Sequence, residues 1–152
     1  EGYDYPEALV EAQKLGYAEA DPTSDVEGWD SAVKATIMAN LFFGAKIKVA
    51  DVARQGITRV TKEDVLEAKK EGKRIKLIAE VKRQGNEVIA GVSPHLIPMT
   101  HPLGNVMGST NALTIATDHL GEVTIIGPGA GRIETGQALL SDILAIHRLG
   151  NK

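Results

Sequence analysis

Hydrophobic positions change period twice along this chain. Up to about residue 72 they recur at helical spacing. From there to Pro98, and again from Asn111 to Gly129, they form short apolar strings bounded by Gly, Asn and Pro. After Glu134 the helical spacing returns. The first helix is expected over Pro6 to Leu15, with Asp4 as cap and Gly16 as stop. The turn AEADPTSD follows. From Gly28 the run WDSAVKATIMANLFFGAKI predicts a long helix ending at Phe43-Gly44, with Trp29, Ala32, Val33, Ile37, Leu41 and Phe42 on its apolar positions. Because its last half is almost all apolar, it is expected to be a central core helix.

A short helical piece is predicted from Val49 to Arg54, ending at Gly56. TKEDVLEAKKEG carries its own start and stop, Thr61 as cap with Asp64 three residues on and Gly72 at the end. IKLIAEVKRQGNEVIAGVSPHLIP reads as strand, Gln84-Gly85-Asn86 turn and strand. NALTIATDHLGEVTIIGPG reads as a second pair turning around His119 to Gly121. A last helix is expected from about Glu134 to Leu149. Helices first, then two hairpins, then a helix predicts an α+β fold, with a mostly antiparallel or mixed sheet and helices packed on one face.

Composition narrows the picture. At 152 residues, 43% hydrophobic and 24% charged, the chain can bury a core. A formal charge of -3 gives no support to a nucleic-acid partner. No apolar run is long enough for a membrane span, and the lack of cysteine excludes disulfides and thiolate metal sites and suits the cytoplasm. The opening EGYDYPEAL has no initiator methionine, so a piece of something longer is expected.

The chemistry concentrates in YAEADPTSDVEGWDSAVK, Tyr17 to Lys34. Asp30 and Lys34 are four apart and share a helix face. Taken alone, the spacing favours an ordinary salt bridge worth about 0.2–0.5 kcal/mol. Asp25 can cap the first turn of the long helix, and Asp21-Pro22-Thr23-Ser24 is a turn. Glu19 has no such structural duty. Carboxylates beside a lysine suit a ligand with an ammonium group and a reacting oxygen, the acids holding the cation and the lysine moving a proton.

Three other stretches are weaker. IIGPGAGRIETG has a strand, a glycine loop and a helix, yet only some twenty residues follow, so it fails as a Rossmann fingerprint. It is either a tightly packed corner or a backbone that approaches a phosphate or sugar held mainly by another domain. SPHLIPMTHPLGNVMGSTNAL, with Pro94, Pro98 and Pro102, reads as a long irregular crossing. His95 and His101 there lack the spacing of a metal motif and read as hydrogen-bonded turn residues; no metal is expected. Asn105, Ser109, Thr110 and Asn111 either line a polar pocket or satisfy loop backbone. Lys69, Lys70, Lys73, Arg74 and Lys76 read as a solvated face.

Ala18 to Lys34 (AEADPTSDVEGWDSAVK), FGAKIKVADVARQGI, His101 to Asn111 (HPLGNVMGSTN) and Gly127 to Asp142 (GPGAGRIETGQALLSD) together resemble, in order, the catalytic domain of homoserine dehydrogenase. The resemblance implies that Glu19, Asp25 and Asp30 surround the substrate's amino group and reacting oxygen, and that Lys34 is the proton donor or acceptor. It implies that Gly131 contacts the nicotinamide cofactor through its backbone, with Gly129 assisting the turn. The family reaction is reversible, NAD- or NADP-dependent conversion of L-homoserine to L-aspartate 4-semialdehyde, on the route to threonine, methionine and isoleucine.

Family members begin with a Rossmann domain that carries the GxGxxG and a second lysine near the substrate, and neither is in this sequence. Residues 1–130 are therefore expected to be the catalytic and dimerisation region of a cytoplasmic homodimer. Residues 131–152 are expected to be a terminal helix that packs on the absent nucleotide-binding domain and otherwise leaves apolar surface exposed. Such a piece is expected to be inactive alone. The alternative is an acid-lined, non-enzymatic binding or regulatory dimer module that retains the fold.

Overall fold

A computed structural model describes residues 3–15, 18–108, 110–129 and 131–150. The predicted stop at Gly16 and the polar residue Ser109 lie outside them. The chain divides into two compact units, residues 1–99 and 100–152.

The first unit opens with α1 (Tyr5–Lys14), at whose start the Asp4 amide donates to the Glu7 carboxylate at 3.2 Å. The acid-rich turn contains a one-turn helix, α2 (Thr23–Val26), too short for any periodic signal. It leads into α3 (Trp29–Phe43), closed at Gly44 as predicted. The expected helix at Val49 to Arg54 is shorter than predicted. Only Val49–Asp51 forms a 3₁₀ turn, and Ala53–Arg54 is a strand, β1, parallel to its neighbour. Two residues cannot show a strand period, so pairing alone reveals it. α4 (Lys62–Lys70) has the predicted cap, with the Asp64 amide donating to Thr61 Oγ1 at 3.1 Å.

β2 (Lys73–Gln84) and β3 (Glu87–Pro98) form the predicted hairpin around Gly85-Asn86, and the sheet order is β1-β3-β2. β3 runs through Pro94 to Pro98, as the hairpin reading has it, so the irregular crossing begins after Pro98 and not at Pro94. β1 pairs with β3 only at Gly91 and Val92, so beyond them β3 has an open edge, where a residue without an N–H is tolerated. The basic run also divides. Lys69 and Lys70 are exposed at the end of α4, whereas Lys73, Arg74 and Lys76 are half-buried on β2.

The register places Ile75, Leu77 and Val81 opposite Leu96, Pro94 and Ala90, all on one sheet face. α3 lies on that face through Ala32 and Ala35, which cluster with Val52, Ala90 and Val92, with Leu77 and Val81 at the margin. The helix thus packs through its alanines, not through the large residues expected in its core stripe. Ala39 is buried too, while Trp29, Val33, Ile37, Leu41 and Phe42 are exposed, Leu41 at 70%. Small side chains let a helix backbone approach a sheet closely, which turns the bulky positions outward.

The second unit begins with a short helix, α5 (Pro102–Asn105), capped by His101, whose Nδ1 accepts from the Leu103 amide at 3.2 Å. His101 is thus a hydrogen-bonded turn residue, and His95 Nε2 lies 3.0 Å from Ser93 Oγ within β3. β4 (Thr110–Thr117) and β5 (Gly121–Pro128) form the second predicted hairpin, with Thr114 and Thr124 hydroxyls 2.8 Å apart across it. α6 (Arg132–Gly150) follows. Its Ile133, Leu139, Ile143, Ile146 and Leu149 are all more than half exposed. Among the described residues no helix is long and apolar enough to cross a membrane.

Gly28 and Gly44 bound α3 and both adopt left-handed backbone, at φ +75° and +62°. Alanine at either should cost about 1–2 kcal/mol for that conformation. At Gly28 its Cβ would also stand 3.0 Å from Val92 Cγ1, whereas at Gly44 it would meet open space. Urea denaturation should therefore find Gly28→Ala the more damaging change. Equal losses would contradict this packing.

Candidate functional site

The acid-rich stretch is organised by its smallest hydrogen bonds first. Asp21 Oδ1 accepts from Thr23 Oγ1 at 2.6 Å and from the Thr23 amide at 3.1 Å, which turns the chain into α2. The hydroxyl bond, then the amide bond, holds the Asp21 carboxyl below the ordinary aspartate range. Asp25 does not cap the long helix as expected. It lies inside α2, and Gly28 stands at the N-cap of α3 without a side-chain bond, because the corner between the two helices requires a left-handed residue.

One turn into α3, Lys34 Nζ donates to Asp30 Oδ2 at 2.5 Å, so the shared face read from their spacing is present. The two side chains are 54% and 45% exposed, and such a pair adds about 0.3–0.5 kcal/mol to the fold. It orients the lysine more than it stabilises the helix. The Glu19 carbonyl accepts from Gln13 Nε2 at 2.9 Å, which fixes the backbone there. The exposed carboxylates of Glu19 and Asp25 make no hydrogen bond or ion pair among the described residues. Cavities of about 500 Å³ beside Phe43 and the Gly85 turn, and about 480 Å³ beneath α4, include neither Asp30 nor Lys34 in their walls.

Spacing gave no hint of what holds this corner. Arg54, on β1, donates to the Glu27 carbonyl from 27 residues away, and its guanidinium lies 3.7 Å from the centre of the Trp29 ring. Thr58 Oγ1 donates to Glu27 Oε1 at 3.1 Å, and the Ile57 amide donates to the Val26 carbonyl at 2.8 Å. Gly56 lies flat against the Val26–Glu27 peptide, where a Cβ would strike the Val26 carbonyl and Glu27 Cα. Burial, and secondarily the Glu27 charge, pushes the Tyr5 phenol above its usual range.

In the second unit, Gly131 has φ +144°, and a Cβ there would occupy the place of the Glu134 carboxylate. A Cβ on Gly129 would occupy the place of the Asn111 amide. At both positions the backbone therefore lies directly against the polar end of a neighbouring side chain. The resemblance puts a nicotinamide cofactor's approach at Gly131, with Gly129 in the turn, and these side-chain ends lie over that backbone. The strand-and-GxGxxG unit that would hold the dinucleotide itself is not in the sequence.

The sequence profile of the homoserine dehydrogenase family matches residues 1–144. An NAD(+)-dependent homoserine dehydrogenase from Pseudomonas canavaninivorans is 45% identical over 97% of this chain and 42% of its own length. The homoserine dehydrogenase of Methanocaldococcus jannaschii is 44% identical over 100% of this chain and 44% of its own. Among solved structures, a homoserine dehydrogenase from Thiobacillus denitrificans superposes with a TM-score of 0.94 at 39% identity, covering 99% of this chain and 35% of that one. The chain is an α+β domain of the homoserine dehydrogenase family. It spans less than half the length of these relatives.

Asp21 makes the acid limb of stability testable. Because its carboxyl is held low in the fold, its contribution is present above the ordinary aspartate pKa of about 3.9 and is lost as pH falls through the lower folded value. Asp21→Ala should lower the urea midpoint at neutral pH, and the gap from the parent should narrow below about pH 3.9. A gap independent of pH would remove Asp21 from this role.

Proposed function

We propose that this chain is the catalytic part of a cytoplasmic homoserine dehydrogenase that interconverts L-homoserine and L-aspartate 4-semialdehyde, on the route to threonine, methionine and isoleucine. The observation that carries the reading is the Lys34–Asp30 contact at 2.5 Å on an open, acid-rich surface of a chain in this family. A carbonyl oxygen that becomes an alcohol must receive a proton, and a lysine ammonium delivers it; in the other direction the amine takes it back. Asp30 holds Nζ in one orientation and lies beside the reacting oxygen. Glu19 and Asp25 have carboxylates free among the described residues to accept the substrate ammonium. NAD or NADP, when bound, supplies or takes the hydride, and Gly131 and Gly129 offer it backbone.

Residues 1–130 then serve as the catalytic and dimerisation region of a homodimer, and residues 131–152 as a helix that packs on a nucleotide-binding domain. The exposed apolar side chains of α6 and the partial coverage of the relatives support that division. A relative described as NAD(+)-dependent and a hyperthermophilic archaeal homoserine dehydrogenase mutant in complex with NADPH support either nucleotide.

Assay of the full-length protein with homoserine and each nucleotide, beside the isolated chain, tests the reading. The full-length protein should turn over and the isolated chain should not, since hydride transfer needs both reactants held in near-attack geometry. Lys34→Ala in the full-length protein should lower kcat by about 10²–10⁴-fold with little change in nucleotide affinity. An unchanged kcat would remove Lys34 from proton transfer and favour a structural dimer module for this chain.

A further inference from the structure

We propose that Arg54 is a positioning residue for proton transfer, holding the Glu27–Trp29 corner that aims Asp30 and Lys34; this rests on the function proposed above. Arg54 is anchored before its side chain is considered. Its backbone is in parallel register with Val92, and the next amide, Gln55, donates to the Val92 carbonyl at 2.8 Å. From that sheet position the guanidinium makes three contacts on one short segment. It donates to the Glu27 carbonyl, lies 3.9 Å from Glu27 Oε2 and stacks on the Trp29 ring. The planar fork does this in one rigid geometry, which a lysine ammonium cannot match.

The electrostatics argue against Arg54 as a generic stabiliser of α3. A cation beside a helix N-terminus opposes the helix dipole, and here the Glu27 carboxylate must offset it. What the arrangement secures is geometry. Trp29 is the first residue of α3, Asp30 is the next, and Lys34 follows one turn later. Gly28, whose Cβ position lies 3.6 Å from Arg54 Cγ, provides the freedom in φ that lets the corner close on this side chain. Thr58 and Ile57 hold the corner's other edge, so without Arg54 the segment is tethered on one side only. A displacement of the order of 1 Å at a reacting group costs about 100-fold in rate.

The test is a double-mutant cycle in the full-length enzyme, with Arg54→Met, Lys34→Ala and both together. Assays run well below the melting temperature of each variant. Arg54→Met retains length and apolar stem while removing the fork and the charge. It should lower kcat by about 10–100-fold, leave the KM for nucleotide unchanged, and shift the pH limb of kcat that Lys34→Ala abolishes. In the Lys34→Ala background the same change should cost clearly less than in the parent, because one of the two groups it positions is gone. Equal losses in both backgrounds, or a lowered melting temperature with kcat and its pH profile intact, would make Arg54 merely structural. If Arg54→Met does not fold, Arg54→Lys carries the same cycle with the same expected non-additivity. A wild-type kcat in Lys34→Ala would sink the functional reading itself. Normal kcat in Arg54→Met alongside a damaged Lys34→Ala would sink only the positioning inference.

Discussion

The close seating of α3 on the sheet governs the rest of the first unit. Ala32 and Ala35 cluster with Ala90 and Val92, and close packing there favours short side chains on the helix. The choice of small residues fixes how near the helix lies, and nearness brings Gly28 against Val92 at its N-terminal end. From there the corner closes onto β1, the strand that pairs in parallel with β3 at Gly91 and Val92. Val92 thus both supports the helix from below and pairs with the strand that locks its start. Asp30 and Lys34 inherit their position from that contact.

The same seating accounts for the large apolar residues left outside. Val33, Ile37 and Leu41 face away from the sheet because the alanines face it. α6 presents a comparable array of exposed leucines and isoleucines. The chain that carries this exposed apolar surface spans less than half of its relatives' length.

Hydrogen bonds at the site divide between those that build the loop and those that leave groups available for chemistry. Asp21 is consumed by Thr23, and Glu27 by Thr58 and Arg54. Asp30 is engaged by Lys34, a half-exposed partner. Glu19 and Asp25 keep their carboxylates uncommitted among the described residues. An acid-rich sequence is therefore not a uniform acid patch, since its members differ in how many lone pairs the fold has already claimed.

Elements bounded by local chemistry were legible in the sequence. The Thr61–Asp64 cap, the Gly44 and Gly72 stops, both hairpins and the Asp30–Lys34 pair all depend on residues within a few positions of each other, so spacing determines them. Three features were decided only by tertiary structure: the strand at Ala53–Arg54, the outward turn of Ile37 and Leu41, and the Arg54 lock on Glu27 and Trp29. Each depends on a neighbour more than twenty residues distant or on which face another element covers. A two-residue strand has no period. An apolar stripe does not say whether its large or its small members face the sheet. Local sequence sets what each segment is able to form, and only long-range packing selects which of its surfaces is used.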